Sequence, residues 1–331
     1  MTDILEPRGT RVPTTVDEDF TTRTEPHRRE LLVHCYRMLG SVHEAEDLVQ
    51  ETLVRAWKAW DGYDERRASV RTWLYRIATN ACLTALEGRA RRPLPSGLGA
   101  PSDDPRGAPL VPAPEVAWLQ PFPDARLDDP GVLLARRGTL RLALIAAMQA
   151  LPPKQRAVLI LRDVLEFSAA EVAGFLDTSP AAVNSALQRA RAGLGGVPVE
   201  SEIAEPDDDE VRAIIDRYLE AFERADVGTL VSLLTGDVVM EMPPVPLWFA
   251  GRENYGRFMD RVFGMRGRHW RLVRLAANTQ PALVAYCRDG EGVYRLHSVQ
   301  VFTVTSAGIA HNAVFADPSV LDYFGLAHVL E

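Results

Sequence analysis

Residues 41–60, SVHEAEDLVQETLVRAWKAW, and residues 69–92, which begin SVRTWLYRIATNACLTALEG, decide how this chain is read. In the first, Ser41 stands three residues before Glu44, a spacing that caps a helix by satisfying its orphan amide donors. Ala45, Leu48, Val49, Leu53, Ala56, Trp57 and Trp60 recur at three-and-four spacing and predict one buried stripe. Glu46, Asp47, Gln50, Glu51 and Arg55 fall on the opposite face. Such acids can be a solvated face that complements the helix dipole, or a contact face for a partner. In the second stretch Ser69 caps a helix that buries Val70, Leu74, Ile77, Ala78, Ala81 and Ala85. Arg71, Trp73, Arg76, Asn80, Arg89, Arg91 and Arg92 are left outward.

This outward set suits opened nucleic acid. Arginines offset phosphate charge, aromatic rings stack on unpaired bases and an amide pairs with a base edge. Taken alone, Trp73 and Tyr75 read as core residues rather than base platforms. The order of the two helices resembles region 2 of the extracytoplasmic-function (ECF) sigma factors of the sigma-70 family, on HEAEDLVQETLVRAW followed by TWLYRIATN. That resemblance implies that Asp47, Gln50, Glu51 and Arg55 dock on the coiled coil of the polymerase β′ subunit. It also implies that Arg76 and Asn80 sit at the upstream edge of the minus-10 element, with the loop Asp61 to Ala68 receiving a flipped base, and Arg71 and Trp73 of the same outward set are minus-10 candidates with them. One departure is Thr84, where the family often carries an aspartate.

Downstream, Ser168 with Glu171 forms a second capping box, Asp177 and Thr178 make a turn, and Ser179 with Pro180 starts another helix. Val172, Phe175, Leu176, Val183, Leu187 and Ala190 face inward. The outward residues Ala181, Ala182, Asn184, Ser185, Gln188, Arg189 and Arg191 are short at the start and basic at the end, as in a helix that enters a major groove. The stretch LPPKQRAVLILRDVLEFSAAEVA is similar to sigma region 4, which implies the polymerase β flap and the minus-35 element as partners.

The net charge of −8 is unevenly divided. Residues 27–92 carry +3 and 139–194 carry +2, whereas 1–26, 93–138 and 195–331 carry −3, −2 and −8. The two candidate DNA readers are therefore the basic parts. Residues 93–138 are rich in Pro, Gly, Ser and Asp and read as a linker whose closing piece, with Trp118, Leu119 and Phe122, should pack against something. Residues 195–206 read as a hinge, and 1–26 as a flexible segment.

From residue 207 the pattern becomes α+β. Val211, Ile214, Ile215, Tyr218, Leu219 and Phe222 form one helical stripe, and a short helix near Leu230 to Leu234 follows. Strand-like runs occupy Val238 to Met242, Trp270 to Ala276, Ala282 to Arg288, Val293 to Thr305 and Ile309 to Ala316, with a helix near Asn254 to Val262. A curved antiparallel sheet is expected. The LWFAGRENYGRFM segment and the closing FADPSVLDYFGL resemble the SnoaL-like cone fold, which implies an apolar pocket. Trp248 and Phe249, placed in a loop, together with Tyr286 and His297, are the candidate pocket residues. Asp237, Glu241 and His311 are further groups with proton-transfer chemistry.

The expected architecture is thus multidomain, two all-α helical sigma domains (27–92 and 139–194) followed by an α+β SnoaL-like domain (207–331). The expected protein is an alternative sigma factor acting on core polymerase and promoter DNA in the cytoplasm. Its C-terminal domain would modulate it through a small ligand or an intramolecular contact. No catalytic residue, cofactor or metal is assigned. Cys35, Cys82 and Cys287 lack the spacing of a zinc site, and no apolar run approaches the roughly 18 residues of a membrane span. Two other classes of function remain: a cone-fold enzyme fused to a DNA-binding module, acting through His297 and Asp237, and a one-component repressor acting through residues 168–191.

Overall fold

The computed structural model describes residues 15–127, 138–194 and 208–330; the expected hinge at 195–206 lies outside them. The first module contains α1 (Thr15–Thr24), α2 (Arg28–Leu39), α3 (Val42–Lys58) and α4 (Val70–Ala85). Helix α2 is the central one. Every residue from Leu31 to Leu39 is buried, including His34 and Arg37, because α2 is covered by its own module and by both later ones. His34 accommodates this by staying neutral. Burial, then the charges of Arg37 and Arg71, push its pKa down to about 3, and its Nε2 pairs with Thr79 Oγ1 at 3.0 Å. Arg37 instead donates to Thr139 Oγ1 at 2.5 Å.

Both caps read from sequence are present: Ser41 accepts from the Glu44 amide and Ser69 from the Thr72 amide. Helix α2 ends at Gly40, whose positive φ of 67° favours glycine. A Cβ there would also lie 2.8 Å from Leu119 Cδ1, since the linker packs directly on this turn. Gln120 fixes the approach. Its amide donates to Gly40 O, and its Oε1 accepts from Ser41 Oγ and the Val42 amide.

The second module has α5 (Leu142–Gln149), α6 (Pro153–Leu159), α7 (Ala169–Phe175) and α8 (Pro180–Gly193). Helix α6 runs into a π-helical turn at Ile160–Val164, which the sequence reading does not anticipate. The Ser168–Glu171 capping box is formed in both directions, and Asp177 takes the positive φ of 46° that the tight turn requires.

The third module contains α9 (Asp208–Glu223), α10 (Val227–Ser232), β1 (Leu234–Glu241), β2 (Trp248–Ala250), α11 (Arg252–Arg266), β3 (Trp270–Ala277), β4 (Gln280–Arg288), β5 (Tyr294–Thr305), β6 (Gly308–Phe315), α12 (Pro318–Tyr323) and β7 (Val329–Leu330). The strand order is β2-β1-β6-β5-β4-β3, with β7 on β5. Pairing is antiparallel except for β1 with β6, which is parallel. Trp248 and Phe249 lie on strand β2 rather than in a loop.

The sheet is covered on both faces. On the concave side, Tyr218 and Phe222 of α9 and Phe258 and Phe263 of α11 pack on Trp270, Leu283 and Phe302. On the other side Ala282, Val284, Val299, Val301 and Ala313 belong to one continuous apolar cluster with Leu31 of α2, Phe122 of the linker and Ile145 of α5. The first two modules and the outer face of the sheet therefore share a core.

Candidate functional site

Helix α3 presents Asp47, Gln50, Glu51 and Arg55 to solvent on one face, with Arg55 and Glu51 paired at 2.6 Å. Trp57 departs from the sequence reading, which placed it on the buried stripe. It is 44% exposed, beside Val54 at 50%. The 3.6-residue period carries position 57 past the edge of the stripe set by Val49, Leu53 and Ala56. The face is therefore acidic, with exposed apolar side chains beside the acids. Val54 was legible at three-residue spacing from Glu51 but was not singled out.

The minus-10 candidates lie on α4 and differ from one another. Arg76 is exposed. Trp73 is half-buried in an aromatic group with Trp60 and Tyr63, at 5.9 and 5.0 Å between ring centroids, and this group stands beside the Asp61 to Ala68 loop. Tyr75 is buried, as its core reading expects. Arg71 and Asn80 are engaged by the second module. Arg71 lies over the rings of Tyr75 and Phe167 and pairs with Glu30 at 3.0 Å, while Asn80 Nδ2 donates to Phe175 O at 3.2 Å. The second module thus rests on part of the α4 surface that carries these candidates.

On α8, Ala181, Asn184, Ser185, Gln188, Arg189 and Arg191 are all exposed. Arg191 makes a two-pronged pair with Asp163 at 2.8 Å, which aligns it along the flank of the helix.

The junction of the three modules is the turn between β3 and β4. Asn278 is fully buried at φ 56° and bonds in four directions. Its amide donates to Phe122 O and its Oδ1 accepts from the Phe122 amide, both at 2.8 Å. Its Nδ2 donates to Tyr36 Oη of α2 and to Leu140 O, each at 2.8 Å. Next to it Gln280 Oε1 accepts from the Leu142 amide that opens α5. Sequence reasoning missed both residues. The ANTQ turn carries an Asn suited to positive φ, but nothing local reveals what its side chain meets.

Of the four candidate pocket residues, His297 lines a cavity of about 580 Å³ on the concave side of the sheet. Trp248, Phe249 and Tyr286 lie elsewhere. The Trp248 indole donates to Gly99 O of the linker, Phe249 is buried against Phe258, and Tyr286 points to the outer face of the sheet. Burial, with the nearby Arg266 charge, pushes the His297 pKa down to about 4. Asp237 is exposed on β1 and does not line this cavity, so the His297 and Asp237 pairing of the enzyme reading is not assembled. Glu241 and His311 pair at 2.6 Å, and Glu241 also accepts from the Ser96 amide. These two hold the linker. Among the described residues no group of three or more His, Cys, Asp or Glu could hold a metal, and no helix is long and apolar enough to cross a membrane.

Comparison with known proteins agrees with this layout. Family models for Sigma-70 region 2, Sigma-70 region 4 and the SnoaL-like domain match residues 24–92, 141–194 and 215–312. The chain is 48% identical to the ECF RNA polymerase sigma factor SigG of Mycobacterium tuberculosis over 93% of its own length and 84% of that protein. It is 31% identical to SigJ of the same organism, over 73% and 68%. The crystal structure of SigJ superposes with a TM-score of 0.62 at 24% identity, covering 91% of this chain and 98% of that one, a likeness of fold. The chain belongs to the ECF sigma factors, with a SnoaL-like domain after regions 2 and 4, and functions as an alternative sigma factor of RNA polymerase.

The three-way junction carries a pH signature. Asp124 accepts from the Thr279 amide at 2.9 Å, and burial lifts its carboxyl from 3.8 to about 6. The docked state therefore holds a proton that the undocked chain releases between about pH 4 and 6. This group opposes docking above pH 6, and the opposition disappears as pH falls towards 4. In a thermal melt, the wild-type chain should gain stability relative to Asp124→Asn on going from pH 7 to 5. Parallel pH profiles for the two proteins would show that Asp124 does not titrate in the junction.

Proposed function

We propose that the free chain is a closed sigma factor, able to meet core polymerase but with its minus-10 reader partly covered. The observation that carries this reading is the contrast between two faces of region 2. The α3 face with Asp47, Gln50, Glu51 and Arg55 is exposed, with Val54 among them, whereas Arg71 and Asn80 on α4 are held by Phe167 and Phe175 of region 4.

Asp47, Gln50, Glu51 and Arg55 form the docking face for the polymerase β′ coiled coil, with Val54 and Trp57 as the exposed apolar side chains beside them. Arg71, Trp73, Arg76 and Asn80 then read the minus-10 element once region 4 has moved away. The exposed α8 set of Ala181, Asn184, Ser185, Gln188, Arg189 and Arg191 reads the minus-35 element as region 4 settles on the β flap. The SnoaL-like domain modulates the sequence of events by holding regions 2 and 4 together through Asn278 and Gln280. It performs no bond chemistry in this role, and the protein works in the cytoplasm where polymerase works. In energetic terms, polymerase must outcompete the junction. Removing the Asn278 side chain leaves its buried partners unsatisfied in the closed state, each at a cost of about 1–3 kcal/mol, so one side chain can shift the closed population by tens of fold.

Two measurements test this. Charge reversal at Asp47→Arg and Glu51→Arg should weaken holoenzyme assembly at least tenfold in a pull-down or fluorescence titration with core polymerase; intact assembly would remove the docking face. Asn278→Ala should raise promoter-specific run-off transcription by the reconstituted holoenzyme, most clearly at limiting sigma. Equal transcription by wild type and variant, with both folded, would remove the modulatory role of the C-terminal domain.

A further inference from the structure

The cavity behind His297 has a wall that does not come from its own domain. Its body is apolar, with Phe222, Met240, Phe258, Met259 and Trp270 among its lining. Its mouth is bordered by Leu110 and Pro112 of the linker, and by Met265, 51% exposed. The linker is seated there by repeated backbone bonds. The Ser96 amide donates to Glu241 Oε2 and the Trp248 indole to Gly99 O. Ser102 N donates to Trp248 O, Arg261 to Ala108 O, and Ala113 N to Pro244 O, at 2.8 to 2.9 Å. A stretch too polar to fold by itself thus runs as a strap across the cone, and half-buried Leu110 joins the core cluster on its concave side.

The polar groups of the cavity are one-sided. Arg261, Arg266, His297, Ser298 and Gln300 line it, and among the described residues no carboxylate does. Arg261 is occupied by the strap, but Arg266 has no carboxylate partner among the described residues and lies close enough to His297 to disfavour its protonation. His297 stands edge-on to Trp270 within this lining. The volume, about 580 Å³, suits a compact organic molecule with its rings or alkyl body inside.

We propose that this cavity is a receptor site for a small apolar molecule bearing one anionic group, the apolar body lying under Leu110 and the anion beside Arg266, with the linker strap as its lid. A ligand of that size fits beneath the seated strap and gives Leu110 an apolar surface to rest on, so binding and seating of the strap favour each other. Because the strap is part of the connection between regions 2 and 4, an occupied cavity favours the closed chain. That last step rests on the closed form proposed above, whereas the site and its lid do not.

The test uses 1-anilinonaphthalene-8-sulfonate and its uncharged analogue N-phenyl-1-naphthylamine on the full chain. Both should bind with enhanced fluorescence. Val262→Trp, which fills the cavity, should abolish both signals. Arg266→Gln, at an exposed position that the fold does not need, should weaken the sulfonate at least tenfold and leave the neutral analogue within about twofold, as loss of a charge-assisted contact requires. Leu110→Gly should weaken both probes. Saturating sulfonate should slow hydrogen exchange at the Ser102 and Ala113 amides of the wild-type chain. Sulfonate affinity unchanged by Arg266→Gln, or exchange at those two amides unchanged by saturation, overturns the proposal. Neither readout involves the contact between regions 2 and 4, so the site and the closed form can fail separately.

Discussion

A single buried amide side chain joins three parts of this molecule. Asn278, at the tip of the β3–β4 turn, bonds to the linker at Phe122, to region 2 through Tyr36 and to region 4 through Leu140. Its place at the centre of an apolar cluster gives these bonds their weight, since none of the partners can turn to water without opening the interface. Tyr36 shows the same environment, because burial pushes its hydroxyl well above the ordinary tyrosine range. With Asn278 in place, region 4 rests against α4, where Phe167 lies under Arg71 and the Phe175 carbonyl accepts from the still exposed Asn80. In the proposed reading, the contact of region 4 with the candidate minus-10 residues of α4 follows from this junction, while the α3 face stays exposed.

The junction also explains the division of charge. The SnoaL-like domain is the acidic part of the chain, yet its contact with the basic modules is mainly apolar, through Ala282, Val284, Val299, Val301 and Ala313, with directional bonds at the turn. Peripheral polar contacts add little by comparison. Arg126 and Glu46 are 3.7 Å apart and about half exposed, and His43 Nε2 donates to the Ser319 carbonyl in the first turn of α12. Apolar burial with a few satisfied amides makes a junction that resists salt, and one whose strength is set by individual side chains.

The helices of both sigma regions were legible because their caps and periods are local. Ser41, Ser69, Ser168 and Ser179 each accept the amide that the sequence assigns to them. The strands of the third domain were legible as apolar runs, whereas β2, α12 and β7 were too short to register. The exposure of the candidate residues was legible where they lie on one helix face, as on α3 and α8. It was not legible where it depends on distant segments meeting. Trp248 and Tyr286 have pocket-like chemistry but face the linker and the outer side of the sheet, while Leu110 of the linker reaches the cavity. One overlooked signal was in the sequence. QPALVAYCR alternates too little for a strand with a solvent face, and its pattern of burial shows a sheet covered on both sides.

The central claim is that regions 2 and 4 are held together in the free chain and separate on polymerase. Spin labels on cysteines introduced at Lys58 and Ala192, both exposed, with Cys287 replaced by Ser, report that separation directly by double electron–electron resonance. The account predicts one narrow distance for the free chain and a distinctly longer one in the holoenzyme. A broad distribution in the free chain, or the same distance before and after core polymerase is added, would contradict it.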